Sequence, residues 1–307
     1  MTTRTTWIIG RGGLLGCALD QQIGAADQFV NAPIDWSSAG APAAIADEAA
    51  RFLDVVGDSQ WRIIWCAGAG IIGTPPAVLE HETAIFRSLL DNASGPGTVF
   101  LTSSAGGVYG GSDDIPITER STPTPLSDYG SNKLIQEGLL ATWADETGGR
   151  GVIGRVANLY GPGQRLTKPQ GLISQICLAT LRRRPVTLYV SLDTLRDYVF
   201  VDDCSLMVAR CLDHASDLEP GSTVTKILAS GSSVSIGALL AQARRVLGRA
   251  PSVVMVPSIR TAQQGNAMSF KSMLWPLVSS FALTPLPVGI HRTSEHLRGQ
   301  LRLGTLT

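Results

Sequence analysis

The most constraining stretch lies near the start of the chain, where the apolar run Trp7-Ile8-Ile9 passes directly into Gly10-Arg11-Gly12-Gly13-Leu14-Leu15-Gly16. A short apolar strand, a glycine turn and a helical pattern from Leu14 to about Gln22 make the opening β–turn–α unit of a parallel sheet. Glycines at 10, 13 and 16 permit a tight turn, close backbone approach to a pyrophosphate and close packing of helix on strand. The helix start adds oriented N–H groups and a partial positive charge for an anion. An ordinary βα turn can be glycine-rich too. The strand before and the helix after are what favour a dinucleotide site here.

The alternation continues. A proline-containing second strand, Phe29 to Asp35, is followed by a helix at Ala43–Val56 and a strand at Trp61–Cys66 that ends in Ala67-Gly68-Ala69-Gly70. A helix at Ala77–Asn92 leads to a strand at Thr98–Thr102 and then to Ser103-Ser104-Ala105-Gly106-Gly107-Val108-Tyr109-Gly110. A Pro/Thr/Ser-rich loop from Asp113 to Leu126 delivers the chain to a helix that opens at Asp128-Tyr129, and Val152–Val156 is the next strand. The order predicts an α/β fold, a Rossmann-type doubly wound parallel sheet.

After Gln164 the pattern breaks down: a helix at Leu172–Leu181, strands at Val186–Val190 and Arg196–Asp203, and a short helix capped by Asp202 or Asp203. A strand at Lys226–Ala229, a helix N-capped by Ser235 and running to Leu247, and a basic helix at Gly289–Arg298 complete the chain. The expected organisation is a dinucleotide-binding Rossmann domain at 1–164, to which 195–215 and 224–230 return. Residues 165–194 and 231–307 form a smaller, interleaved C-terminal α/β substrate-binding domain.

Charge excludes several classes. Twenty-five basic and 25 acidic residues cancel, so neither nucleic acid nor an acidic membrane surface is an expected partner. The basic run Arg182-Arg183-Arg184 follows an apolar helical pattern, where cations suit a helix C-terminus. The five cysteines form no Cys-x-x-Cys pair and sit in apolar contexts, as buried free thiols of a reducing compartment do. The four histidines have no metal-ligand spacing with them, so no metal is expected. No signal-peptide architecture and no membrane-length apolar run is present, and the expected location is the cytoplasm.

Tyr129 and Lys133 are four apart and share one face of a helix. A phenol with a pKa of about 10 becomes a useful base near neutral pH only beside a cation that stabilises its phenolate. Asp35 lies 19 residues past Gly16, near the distance at which a carboxylate meets adenine-ribose hydroxyls, whereas Arg11 could face a 2′-phosphate.

With these residues in view, the chain resembles an extended short-chain dehydrogenase/reductase of the NAD-dependent epimerase/dehydratase family, which acts on nucleotide sugars. The resemblance runs from the glycine turn through Ser103-Ser104, Tyr129 and Lys133 to Asn158-Leu159-Tyr160-Gly161-Pro162-Gly163 and Arg196-Asp197-Tyr198-Val199. It implies Tyr129, Lys133 and Ser104 as catalytic residues, with Ser103 the fallback for Ser104. It implies NAD contacts from Gly10, Arg11, Gly13, Leu14, Leu15, Gly16, Asp35, Cys66, Ala67, Gly68, Ser103, Tyr129 and Lys133, with NADP the alternative cofactor. Ser104, Asn158 and Arg196 would meet the substrate; the rival reading of Arg196 is an ion pair with Asp197 or Asp202.

A homodimer is also implied, built on the helices that carry Ile85 and Leu89 and Ile135, Leu139 and Trp143. Departures from the family pattern are Glu82 in place of an Asn and Asp193-Thr194-Leu195 in place of a glycine-rich lead. Gly106 and Gly107 stand where dehydratases carry an Asp-Glu pair. The expected function is therefore a nucleotide-sugar epimerase working by hydride transfer. An NADPH-dependent keto-sugar reductase and a non-catalytic cofactor-binding regulator are the alternatives.

Overall fold

Strand β1 (Thr5–Ile9) shows how the N-terminal half is built. Trp7 and Ile9 point into one apolar cluster and Ile8 into another. The same split recurs in β3 (Trp61–Trp65), with Ile63 and Trp65 on one side and Ile64 on the other. In β4 (Thr98–Ser104), Val99 and Leu101 oppose Phe100. Side chains alternate with period two, so near-continuous apolar runs of this kind suit a parallel sheet covered on both faces. The computed structural model describes residues 4–166, 171–256, 265 and 267–306.

Helix α1 (Leu14–Gln22) follows β1, and β2 (Gln28–Phe29) leads to α2 (Ala41–Val56). Helix α3 (Pro76–Asp91) joins β3 to β4, which runs into the short α4 (Ala105–Val108). Then come α5 (Asp128–Thr147), β5 (Arg150–Val156), β6 (Asn158–Tyr160), α6 (Leu172–Arg182), β7 (Val186–Leu188), β8 (Leu195–Phe200) and α7 (Val201–His214). Last are β9 (Thr223–Leu228), β10 (Ser233–Ser235), α8 (Ile236–Leu247), β11 (Val253–Met255) and α9 (Leu286–Arg302).

Six strands form a parallel sheet in the order β2-β1-β3-β4-β5-β9. Apolar residues of α2, α3 and α5 cover one face; those of α1 and α7 cover the other. Fully burying side chains such as Phe86 and Phe100 contributes about 1.5–3 kcal/mol each. Strand β9 lies beside β5, so a late segment completes the early sheet. Strand β8 instead pairs with β6 and β10, and β7 with β11, over a third apolar cluster built from α6, α8 and α9. The expected domain ranges 165–194 and 231–307 include residues outside the described set.

Several expectations are corrected. The second strand stops at Phe29, not Asp35. Trp7 Nε1 donates to Asn31 Oδ1 (3.0 Å), Ala32 N donates to Glu48 Oε2 (3.2 Å), and Pro33 has no N–H, so the backbone leaves the ladder. Asp202 and Asp203 do not cap α7 through their side chains. Asp202 pairs with Arg292 at 2.7 Å, and Asp203 accepts from the N–H and hydroxyl of Thr284. Ser235 does cap α8, accepting from Ala238 N at 3.1 Å. Of the residues expected to form a dimer stripe, Ile85, Leu89 and Trp143 are core, while Ile135 is 52% exposed.

Candidate active site

The site grows from the first turn of α5. Ser127 caps it, its hydroxyl accepting from Gly130 N at 3.2 Å. A Cβ on Gly130 would stand 2.1 Å from the Gly107 carbonyl oxygen, so only glycine lets this turn lie directly on the Gly107 backbone. That contact sets the Tyr129 ring against Gly107. Ser104, the last residue of β4, accepts from Gly107 N at 3.1 Å, and its hydroxyl and the Tyr129 ring both face the position a Cβ on Gly107 would take, at 3.3 and 3.0 Å.

Lys133 stands one turn on, with Nζ 5.9 Å from the centroid of the Tyr129 ring. It donates to Gln136 Oε1 at 3.0 Å and reaches the Thr102 carbonyl at 3.4 Å. Gln136 in turn donates to Thr83, which donates to Asn132. This chain of buried polar groups aims the ammonium. Sequence reasoning missed Gln136, although its place three residues from Lys133 on a helix was the available sign.

The serine pair divides. Adjacent residues of a strand face opposite ways, and Ser103 donates to the buried carboxylate of Glu137. Arg155 grips that carboxylate with Nε (3.0 Å) and Nη2 (2.6 Å) and donates with Nη1 to the Tyr109 hydroxyl. Ser103 borders the cleft, but its hydroxyl is engaged in this network. Ser104 is the serine on the Tyr129 side.

The glycine turn fits a dinucleotide diphosphate. Gly10 has φ +95°, and a Cβ there would stand 2.6 Å from Ala67 N; one on Gly16 would stand 2.2 Å from Gly10 O. Strand end, turn and helix therefore close on one another with no side chain between. Gly13 offers α1 no side-chain cap, and the first residues of that helix, Leu14 and Leu15, line the cleft with Gly13, Cys66, Ala67 and Gly68. Gly10 and Gly16 lie under the turn and do not line it. Neither do Arg11, which is ion-paired with Asp20, and Asp35, whose carboxylate accepts from the N–H and hydroxyl of Ser37 (3.1 and 2.6 Å).

These groups share one cleft of about 1200 Å³ at the carboxyl ends of β3, β4 and β5. A pocket for one drug-sized ligand is typically about 300–1,000 Å³. Asn158 and Arg196 line it too, with Tyr198 and the segment 185–190, which the sequence marked as a strand and not as part of the site. Arg196 donates to the carbonyls of Leu195 and Gly265, and Asp202 pairs with Arg292, so the ion pair with Asp202 is not formed.

Burial, and then the negative charge of Glu82, raise the Tyr129 phenol above its ordinary range, against a hydrogen bond from Ser104 that lowers it. Burial lowers Lys133, while the charges of Glu82 and Glu137 hold it up. Burial pushes the Cys66 thiol up to about 12. No group of three or more His, Cys, Asp or Glu among the described residues could hold a metal ion.

Comparison with known proteins gives the family. The family model described as "NAD dependent epimerase/dehydratase family" matches residues 41–225, more than half of the chain. The chain belongs to that family. The glycine turn precedes the matched stretch, so its fit to a dinucleotide is a separate observation.

Among relatives, "dTDP-4-dehydro-6-deoxyglucose reductase" of Escherichia coli is 32% identical over 122 residues, 40% of this chain and 38% of that protein. "UDP-glucose 4-epimerase" of Azospirillum brasilense is 33% identical over 155 residues, 44% of each chain. The matched stretches thus span less than half the length of these curated relatives.

Among solved structures, UDP-glucose 4-epimerase from Bifidobacterium longum in complex with NAD+ and UDP superposes with a TM-score of 0.80 at 17% identity, covering 99% of this chain and 100% of that one. RMD from Pseudomonas aeruginosa complexed with NADPH gives 0.78 at 20% identity, covering 97% and 100%. At such identities the likeness is one of fold.

Proposed function

We propose that the protein is an NAD(P)-dependent nucleotide-sugar epimerase that works by hydride transfer at a Tyr129–Lys133–Ser104 site. The observation that carries this reading is that the Ser104 hydroxyl and the Tyr129 ring face the same Gly107 position, with Lys133 one turn from Tyr129, in the cleft that the glycine turn also lines. The diphosphate of the cofactor would rest on Gly13, Leu14 and Leu15, and Cys66, Ala67 and Gly68 would border it. When bound, the nicotinamide supplies a hydride acceptor and, in its oxidised form, a positive charge.

The chain's own residues do the rest. Ser104 holds a sugar hydroxyl in line with Tyr129, whose phenol oxygen takes or returns that hydroxyl's proton. Lys133, fixed by Gln136, would hold the nicotinamide ribose and keeps an ammonium near the phenol. Asn158 and Arg196 meet the sugar nucleotide, where a guanidinium suits a diphosphate.

The rival reading is a keto-sugar reductase, in which Tyr129 would give a proton rather than take one. The same proposal includes the nucleotide-binding and substrate-binding division of the chain. It includes a homodimer in which the exposed Ile135 on α5 meets a second copy, and a cytoplasmic setting suited to five free thiols. No helix among the described residues is long and apolar enough to cross a membrane.

The test is to incubate the protein with NAD(P) or NAD(P)H and a panel of UDP-, GDP- and dTDP-sugars, following cofactor absorbance and sugar configuration. An epimerised sugar without net cofactor change supports the epimerase. Stoichiometric cofactor consumption supports the reductase, and no turnover with any sugar contradicts both. Light scattering that gives a monomer at micromolar concentration removes the dimer alone.

A further inference from the structure

Glu82 is the charged group of the cleft to which the proposed chemistry gives no task. It projects from α3, and its Oε1 accepts from the backbone N–H groups of Ala69 (2.6 Å) and Gly70 (2.9 Å). Its Oε2 faces the glycines on either side of Ala69. A Cβ built on Gly68 would meet it at 3.4 Å and one on Gly70 at 3.1 Å.

The reaction centre looks onto the same two positions. Lys133 Nζ lies 4.0 Å from the Gly68 one, and the Tyr129 ring 3.5 Å from the Gly70 one. With no side chain on either glycine, this turn puts nothing between Oε2 and the reaction centre. Among the described residues no cation is within ion-pair distance of Glu82.

We propose that Glu82 makes this centre prefer the oxidised, positively charged nicotinamide to the reduced, neutral one. The inference rests on the dinucleotide reading above and adds a direction to it. The two cofactor forms differ by one positive charge on the ring, and a carboxylate beside Tyr129 and Lys133 acts on that difference. Unit charges several ångströms apart still interact by more than thermal energy at an effective dielectric constant of about 20.

Lys133 opposes the effect in part, but its ammonium is drawn to Gln136 and the Thr102 carbonyl and not into an ion pair with Glu82. Beside this geometry, its charge acts to raise Lys133 against burial, and acts in the same direction on Tyr129 after burial and the Ser104 hydroxyl. A net preference of about tenfold corresponds to about 30 mV in the midpoint potential of a bound two-electron couple. Its sign favours hydride on the substrate.

The experiment measures dissociation constants for NAD+, NADH and ADP-ribose, which lacks the nicotinamide, by calorimetry at one pH. Glu82→Gln removes the charge and keeps an oxygen for the Ala69 and Gly70 amides. It should raise the ratio of the NAD+ to the NADH constant about tenfold and leave ADP-ribose unchanged. Glu82→Asp, which keeps the charge, should hold the ratio near the wild-type value.

An unchanged ratio in Glu82→Gln overturns the proposal, because the charge is then not felt. An equal shift for all three ligands also overturns it, because the residue then only shapes the turn. If the wild-type protein binds none of the three, the dinucleotide reading falls and this inference with it. Binding with a constant ratio removes this inference alone.

Discussion

Two carboxylates, Glu137 on α5 beside the end of β4 and Glu82 on α3 beside the turn after β3, stand on neighbouring helices, and they are used in opposite ways. Glu137 is 5% exposed, and both of its oxygens are taken, one by Ser103 and Arg155 and the other by Arg155. Glu82 gives one oxygen to two backbone amides and turns the other toward an open cleft. A buried charge whose partners are complete costs little as it stands but a great deal to break. A charge with a free side can act on whatever enters. If Glu137 serves the fold and Glu82 the chemistry, as proposed, substitutions at each should separate stability from function.

The largest effect should come from the closed side. Arg155→Met leaves Glu137 buried without its cation and should cost about 3–5 kcal/mol of stability, read from the midpoint of urea unfolding. Glu82→Gln should move that midpoint by less than about 1 kcal/mol. Equal losses at both positions would break the comparison.

On the open side, Lys133→Met should lower turnover and weaken NAD binding together, each by roughly tenfold or more, since removing a charged partner from a hydrogen bond costs about 1.5–3 kcal/mol. Calorimetry and steady-state kinetics check both. Loss of turnover with unchanged NAD affinity would detach Lys133 from the cofactor.

The serine pair sharpens the contrast within two adjacent residues. Ser104→Ala should lower turnover about tenfold with little change in stability. Ser103→Ala should cost about 1 kcal/mol of stability and spare turnover. The reverse pattern would exchange their roles.

The smallest effect is expected at the adenine-ribose corner. NAD should bind more tightly than NADP, but Asp35 is held by Ser37 outside the cleft. Asp35→Ala should then change the ratio of their dissociation constants by no more than about twofold. A gain of tenfold or more for NADP would return Asp35 to the cofactor.

The parts of the molecule that repeat a simple period were legible in the sequence. Helix α1 begins and ends where its pattern does, at Leu14 and Gln22, and β1, β3 and β4 were marked by apolar runs between turn residues. Tyr129 and Lys133 were legible as a helical pair. What failed to show was set by side chains meeting from distant positions. Phe29 to Asp35 read as a strand, but the Asn31 and Glu48 side chains take the Ala32 carbonyl and N–H. Ser103 and Ser104 are alike in sequence, and only the facing Arg155 and Glu137 show which one is drawn away and which one faces Tyr129. Ile85, Leu89 and Trp143 made a stripe that suits a partner or a core equally well, and the sheet claimed them.

The central claim is that Tyr129 carries the proton. It is tested most directly by comparing Tyr129→Phe with the wild-type protein on whichever nucleotide sugar is turned over, with NAD affinity and thermal unfolding measured on the same preparations. The account predicts a loss of about 10²- to 10⁴-fold in turnover, with affinity and unfolding nearly unchanged, because the ring that packs on Gly107 is kept and only its hydroxyl is lost. Undiminished turnover in Tyr129→Phe would contradict it.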